Sequence, residues 1–304
     1  MKSIVKQFLL YRYHRPRRLF STNIVTDVNN NNNNVTTTNN LTKTLANKVA
    51  LVTGSTSGIG LGIAEALAEN GCSICLNGFG ENIDEIVTSM EKKYNVPVMY
   101  NGANMLNRHE IKDMIENDIK STFGTSVDIL VNNCGMQHVS PIESFDEDIF
   151  EKVIQLNLTS NFYTTKYVLN DMREKEYGRI INIASTHGKV ASVNKSAYVA
   201  SKHGVVGLTK TIALETAKDT NITCNAICPG FVLTPLVAAQ IDVIADNKNI
   251  TFEEAGKDLL SEKVPSENFV TVEQLGGLCS FLCSDNAEQL TGQDIAVDGG
   301  WTSV

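Results

Sequence analysis

From Lys48 onward the chain alternates between two kinds of pattern. Short runs rich in β-branched and other apolar residues, VALVT (49–53), SICLN (73–77), VPVMY (96–100), VDILVN (127–132), RIINIAS (179–185), ITCNAIC (222–228) and DIAVD (294–298), predict seven strands. Between them, near 59–70, 108–122, 147–170, 196–217 and 273–284, apolar positions recur at helical spacing. This alternation implies an α/β architecture, a seven-stranded, mostly parallel sheet with helices on both faces. No internal repeat and no second linker is visible, so residues 47–304 read as one domain. The stretch 236–270 departs from the rhythm: it is helix-like and charged, without a strand, and its place after a strand's carboxyl end suits a lid over a ligand.

Residues 1–46 have a different composition. The leader MKSIVKQFLLYRYHRPRRLFST holds no acid and interleaves basic with apolar residues, as mitochondrial transit peptides do. A matrix location follows, with a plain basic extension and a cytoplasmic location as the alternative. RLFS (18–21) resembles a matrix-protease site, which puts the mature start near Ser21. The tracts NNNNNN (29–34) and TTTNN (36–40) cannot bury enough apolar surface to order themselves, so 1–46 are set outside the fold. The leader's apolar run, broken by Lys6 and Gln7, is too short to span a bilayer, and no stable membrane association is expected.

Charge and cysteine usage narrow the function classes. Residues 1–46 contain seven of the 26 lysines and arginines and one of the 34 acids, leaving 19 basic and 33 acidic side chains, a net of −14, in the remainder. Such an acidic body repels a phosphate backbone, so nucleic acid is not an expected partner. The seven cysteines are scattered, and the one CxxC, at 72–75, lies in a strand pattern without His or Cys nearby. No metal site is expected, and buried reduced thiols fit an intracellular compartment.

After the first strand comes TGSTSGIG, Thr53 to Gly60, and then a helix. Gly54, Gly58 and Gly60 allow a tight turn and the close approach of a pyrophosphate to amides at the helix start. Between a strand and a helix at the head of an α/β domain, this loop predicts dinucleotide binding. A 2′-phosphate would call for a cation, yet Ser55, Thr56 and Ser57 in the loop and Asn77, Gly78 and Phe79 after the second strand offer none. The acid that would hold an NAD ribose is missing there too, so NAD is expected from the lack of a phosphate partner. Asn132 and Asn133, after the fourth strand, can tie strand ends together, floor the adenine-ribose site, or satisfy turn amides.

Within KSAYVASKHG (195–204), Tyr198 and Lys202 stand four apart, on one face of a predicted helix. Tyrosine, with a pKa of about 10, is a poor base at neutral pH unless a cation favours its phenolate. Lys202 can supply that cation. Ser185, at the end of the preceding strand, can stabilise charge developing on a reacting oxygen. Together they suit removal of a proton from an alcohol as hydride leaves its carbon for a nicotinamide.

TGxxxGIG, NNxG and Ser followed by YxxxK are the signature set of the short-chain dehydrogenases/reductases, which this chain resembles from about Lys48 to its C-terminus. The resemblance implies a single-domain, Rossmann-type doubly wound fold, a homotetramer, and a fourth catalytic residue, Asn157, completing a proton relay. It also implies a cofactor site built from Gly54, Thr56, Ser57, Gly58, Ile59, Gly60, Phe79, Asn104 and Asn132, with Tyr198, Lys202 and, from CPGFVLTP, Pro229, Gly230, Val232 and Thr234. Within the family, TGSTSGIGLGIA, STHGKVASVNKSAYVASKHGVVG, LLSEK and VDGGWT are most similar to the soluble, NAD-dependent D-3-hydroxybutyrate dehydrogenases. That likeness implies a substrate carboxylate held by Gln137, His187 and Lys195, assisted by Gln240, with Trp301 nearby and Ser185 and Tyr198 at the reacting end. Three positions depart from the pattern: Phe231 stands for Trp, Asn104 for Asp and Cys134 for Ala. An NADPH-dependent 3-oxoacyl thioester reductase and an inactive dinucleotide-binding sensor are the competing readings.

Overall fold

The computed structural model describes residues 44–218 and 221–303; the expected targeting leader, its Asn/Thr tract and the cleavage point near Ser21 lie outside the described residues. Seven strands form one sheet: β1 (Val49–Val52), β2 (Ser73–Asn77), β3 (Val98–Asn101), β4 (Ile129–Asn132), β5 (Gly178–Ile183), β6 (Ile222–Pro229) and β7 (Asp294–Val297). Their order is β3-β2-β1-β4-β5-β6-β7. Every pairing is parallel, so the sheet expected to be mostly parallel is wholly so. All residues of β1, β4, β5 and β6 are buried, and their sequences are accordingly dominated by apolar residues, with the buried polar side chains Asn132, Arg179, Asn182, Thr223 and Asn225 among them.

Alternation along each strand assigns side chains to two helical layers. Ala50, Val52 and Val131 pack with Ile63, Leu67, Leu275 and Leu282 on one face. Leu51, Leu130 and Ile180 pack with Ile111, Met114, Val168 and Met172 on the other. The first layer carries α1 (Gly58–Glu69), α2 (Ile83–Tyr94) and α10 (Val272–Cys283). The second carries α3 (Arg108–Asp113), α4 (Ile119–Phe123), α5 (Glu147–Ile154), α6 (Ser160–Glu174) and α7 (Ser196–Thr216). A π turn, Met114–Asp118, joins α3 to α4, and another, Gln155–Thr159, joins α5 to α6. Helix α2 was not among the expected elements. Its cue is Ile83, Ile86, Val87 and Met90 at helical spacing, diluted by charged residues because only Met90 is fully buried.

The insertion forms α8 (Pro235–Lys248) and α9 (Phe252–Ser261). Proline at the first position of α8 forfeits no hydrogen bond there, and a reciprocal Thr251–Glu254 capping box starts α9. The segment has its own small core, in which Val237, Ile241, Ala255, Leu260 and Val264 pack with Phe231. Its return to the body is marked by one parallel bridge, Val232 to Val270.

Helices α1 and α10 approach closely because small residues face each other. A Cβ added to Gly276 would stand 2.7 Å from the Ala66 Cβ and 3.1 Å from the Gly62 carbonyl oxygen. Gly276→Ala gains helix propensity, worth up to about 1 kcal/mol. The contact it forces on a rigid neighbour costs about 1–3 kcal/mol, so the clash should win. A thermal melt should show the variant a few degrees less stable; an unchanged or raised midpoint would refute this account of the helix contact.

Candidate active site

β1 ends at the point where the chain, having run outward through β2 and β3, returns on the other side of β1 as β4. At such a switch point adjacent loops diverge and leave a crevice at the strands' carboxyl ends. Here the two loops are tied together. Thr53 Oγ1 accepts from the amides of Asn133 (3.0 Å) and Cys134 (3.1 Å), and Asn133 Nδ2 donates to the carbonyls of Thr53 (3.0 Å) and Gly54 (2.9 Å). Gly54 and Gly58 have positive φ, and a Cβ on Gly60 would lie 2.2 Å from the Gly54 carbonyl oxygen. These positions therefore exclude side chains for geometric reasons.

Helix α1 opens from this loop with an extended Ser57, no side-chain cap and no acid in its first turn. Its leading amides and positive dipole end are thus available to an anion. Thr56 Oγ1 donates to the Phe79 carbonyl (2.7 Å), joining the loop to the end of β2, while the Phe79 side chain is exposed. Asn104 Oδ1 accepts from the Leu106 amide at 3.0 Å, so its acceptor serves a local turn. The glycine cradle with an uncapped, acid-free helix start fits a nicotinamide dinucleotide.

Asn132, expected at this site, lies buried away from the cleft. Its Nδ2 donates to Asn182 Oδ1 (2.9 Å) and its Oδ1 accepts from Thr164 Oγ1 (2.6 Å), so it ties β4 to β5 and α6. The next residue, Asn133, lines the cavity instead. Adjacent residues leaving a strand point to opposite sides, so the expected cofactor role of Asn132 is corrected to a brace within the sheet.

The reacting groups converge from β5 and α7. Ser185 follows β5 in extended backbone, and its Oγ accepts from the His187 amide at 3.2 Å. Lys202, on α7, is buried and donates from Nζ to the Ile183 carbonyl at 2.8 Å; Nζ lies 5.6 Å from the Tyr198 ring centre. Burial brings the Lys202 ammonium down from 10.5 to about 8. Burial also pushes the Tyr198 phenol above its ordinary 10, opposed by a hydrogen bond with Ser185. The expected lowering of Tyr198 by Lys202 is therefore not the dominant effect in the chain by itself. Desolvation prevails, and the group opposing it is the serine hydroxyl.

Asn157 sits in the π turn between α5 and α6, an irregularity often found at functional sites. Its Nδ2 donates to the Met136 carbonyl (2.9 Å) and to Ser201 Oγ (3.1 Å), and its Oδ1 accepts from the Met136 amide (2.8 Å). Both amide hydrogens are thereby engaged, and what Asn157 does in this arrangement is fix the loop after β4 against the start of α7. A relay through its side chain would have only the remaining carbonyl lone pair to use.

A cavity of about 160 Å³ lies above these groups. Ser185, Tyr198 and Lys202 line it together with Gln137, His187, Lys195, Gln240 and Trp301, so all the residues expected at the substrate converge. Ile59, Pro229, Gly230, Val232 and Thr234 line it as well, while the rest of the glycine loop, Phe79, Asn104 and Asn157 lie outside it. His187 is 4% exposed and its Nε2 has no hydrogen-bond partner among the described residues. Burial, then the charges of Lys195 and Lys263, bring its pKa from 6.5 to about 4. The imidazole is therefore neutral at neutral pH. Lys195 is also lowered, first by burial and then by Lys263.

The His187 ring stands edge-on to Tyr198 (5.9 Å) and Trp301 (5.4 Å), and Trp301 stacks on Phe231 at 4.9 Å. Phe231, the departure from Trp, thus still supplies an aromatic wall. Trp301 is presented by Asp298, whose carboxylate accepts from the amides of Gly300 (3.0 Å) and Thr302 (2.9 Å) and from Thr302 Oγ1 (2.7 Å). Asp298 and Lys263 were not anticipated. Their cues, VDGGWT and LLSEK, are visible in the chain, but roles for them depend on contacts between distant segments. Among the described residues no group of three His, Cys, Asp or Glu could hold a metal, and no helix is long and apolar enough to cross a membrane.

Residues 48–243 match the family model described as short chain dehydrogenase. The D-beta-hydroxybutyrate dehydrogenase of Cupriavidus necator is 51% identical over 259 residues, covering 85% of this chain and 99% of that protein. The D-beta-hydroxybutyrate dehydrogenase of Rhizobium meliloti is 47% identical, covering 84% and 99%. Among solved structures, L-sorbose reductase from Gluconobacter frateurii, complexed with NADPH and L-sorbose, superposes with a TM-score of 0.82 at 28% identity, over 86% of this chain and 99% of that one. The glycine cradle, the convergence of Ser185, Tyr198 and Lys202, and these similarities together place the chain in the short-chain dehydrogenase family.

Proposed function

We propose that this chain interconverts (R)-3-hydroxybutyrate and acetoacetate, using NAD. The observation that carries the reading is the meeting, in one small cavity, of Ser185, Tyr198 and Lys202 with Gln137, His187, Lys195 and Gln240. The first set suits an alcohol or ketone, and the second suits a carboxylate a few atoms away. The buried, unpartnered Nε2 of His187 supports an incoming polar group, because leaving it unsatisfied is costly. The names of the two hydroxybutyrate dehydrogenase relatives support the same substrate.

In this reading the carboxylate is held by Gln137, His187 and Lys195, with Gln240 from the lid assisting. Ser185 hydrogen-bonds the substrate oxygen and stabilises charge developing on it. Tyr198 takes the hydroxyl proton in oxidation and returns it in reduction. Lys202 favours the phenolate that exists between those events and helps hold the cofactor's ribose. Asn157 keeps the loop and α7 in register around them. The chemistry that the bound dinucleotide supplies is acceptance of hydride from the carbinol carbon. Because burial holds the phenol protonated in the free chain, the oxidative direction should gain with rising pH.

The absence of a cation among Ser55, Thr56, Ser57, Asn77, Gly78 and Phe79 supports NAD over NADP. The acid-free leader supports delivery to the mitochondrial matrix, and family resemblance supports a homotetramer.

The decisive assay follows NADH absorbance with the separated enantiomers. Turnover should occur with the R form and NAD, while the S form, and acetoacetyl thioester with NADPH, should be poor substrates. Preference for the thioester and NADPH would establish the rival reductase, and tight NAD binding without any turnover would establish a sensor. Tyr198→Phe should keep dinucleotide binding but lose about 10²- to 10⁴-fold in kcat; a variant with wild-type turnover would remove Tyr198 from the mechanism.

His187 also predicts a pH dependence of stability. Its folded pKa, about 4, lies below the ordinary 6.5, so the unfolded chain binds more protons between those values. The contribution of neutral His187 is complete above pH 6.5 and is lost as pH falls toward 4, on the order of 3 kcal/mol in all. Urea titrations of His187→Gln should therefore show a shallower decline across that window. Parallel declines in the two proteins would show that His187 titrates normally.

A further inference from the structure

We infer that Lys263, on the lid, is a specificity-determining residue: a second cation that, beside Lys195, favours substrates ending in a carboxylate over uncharged ones. The inference rests on the carboxylate reading of the cavity given above and goes beyond it in assigning the lid a charge-selective role.

The lid contains three lysines with different surroundings. Lys248 pairs with Asp258 at 2.8 Å and Lys257 with Glu253 at 2.9 Å, both pairs on the exposed side. Lys263 is partly buried, and no acidic side chain among the described residues pairs with it. Its place is set by the turn that ends α9, where the amides of Lys263 and Val264 both donate to the Leu260 carbonyl (3.0 and 2.7 Å). Leu260 and Val264 are buried in the lid's core with Phe231, so the backbone on either side of Lys263 is anchored. From there its Nζ reaches 5.7 Å from the Trp301 ring centre and 3.4 Å from Ser192 Oγ, on the loop that leads to Lys195.

Lys263 therefore spans from the lid to the two segments that bound the carboxylate end of the cavity. Its charge is felt there, since it disfavours protonation of both His187 and Lys195. Two partly buried cations without a counter-ion repel each other, and an anion placed beside them relieves that repulsion. A neutral ester brings no such relief. Because one cation is on the body and the other on the lid, the anion also favours the arrangement in which the lid lies over the cavity.

The test compares (R)-3-hydroxybutyrate with its methyl ester in the wild type, Lys263→Gln and Lys263→Arg. A partly screened charge should be worth about 3- to 10-fold in this setting. Lys263→Gln should raise KM for the acid by that factor with kcat little changed, lower the acid-to-ester ratio of kcat/KM accordingly, and weaken the salt dependence of KM. Lys263→Arg should restore KM. An unchanged KM for the acid in Lys263→Gln, or equal losses on acid and ester, would overturn the inference, the second outcome indicating a structural role. Failure of the wild type to turn over the acid would instead overturn the proposed function, so the two failures are distinguishable.

Discussion

In a wholly parallel sheet every strand delivers its carboxyl end to the same edge, and each function of this protein is built on that constraint. The glycine loop leaves β1, the Asn133 turn leaves β4, Ser185 follows β5 and the Pro229–Thr234 loop leaves β6. Buried on both faces, the strands cannot shift to accommodate these loops, so the loops must fit one another. The bonds from Asn133 and Cys134 to Thr53 and Gly54 are where that fitting is tightest. They place the switch-point crevice directly beside α1.

The second organising feature is the burial of basic groups without acids to neutralise them. Lys202 relies on a single backbone carbonyl, His187 leaves one nitrogen unpartnered, and Lys195 is destabilised as a cation by its surroundings. In a purely structural core such groups would be unfavourable. Here they bound one cavity that they share with the polar side chains of Gln137, Ser185 and Gln240 and with the apolar walls of Phe231, Val237 and Trp301. Their electrostatic cost in the free chain is consistent with a site organised around an anionic, oxygen-bearing ligand.

The aromatic wall joins the lid to the end of the chain. Asp298 holds the terminal turn so that Trp301 faces His187 and stacks on Phe231, and Phe231 belongs to the lid's small core. The 236–270 insertion and the wall of the cavity are therefore packed on one another through Phe231. The ring of Phe231 makes this linkage by stacking on Trp301.

Local pattern determined much of this protein: the seven strands, the loop before α1, the Tyr198–Lys202 face and the positions of Ser185, Gln137, His187, Lys195 and Gln240 are legible from spacing and resemblance because each depends on short-range periodicity or on a contiguous motif. Helix α2 escaped because a nearly exposed helix carries a weak apolar stripe. Tertiary structure alone decided that Asn132 braces the sheet while Asn133 reaches the cleft, that the Asn157 amide is engaged by Met136 and Ser201, and that burial, opposed by the Ser185 hydroxyl, raises the Tyr198 phenol. It also brought Lys263 to Trp301 and to the loop before Lys195. These outcomes depend on desolvation and on contacts between segments far apart in the chain, and neither quantity is encoded in the spacing of residues along it.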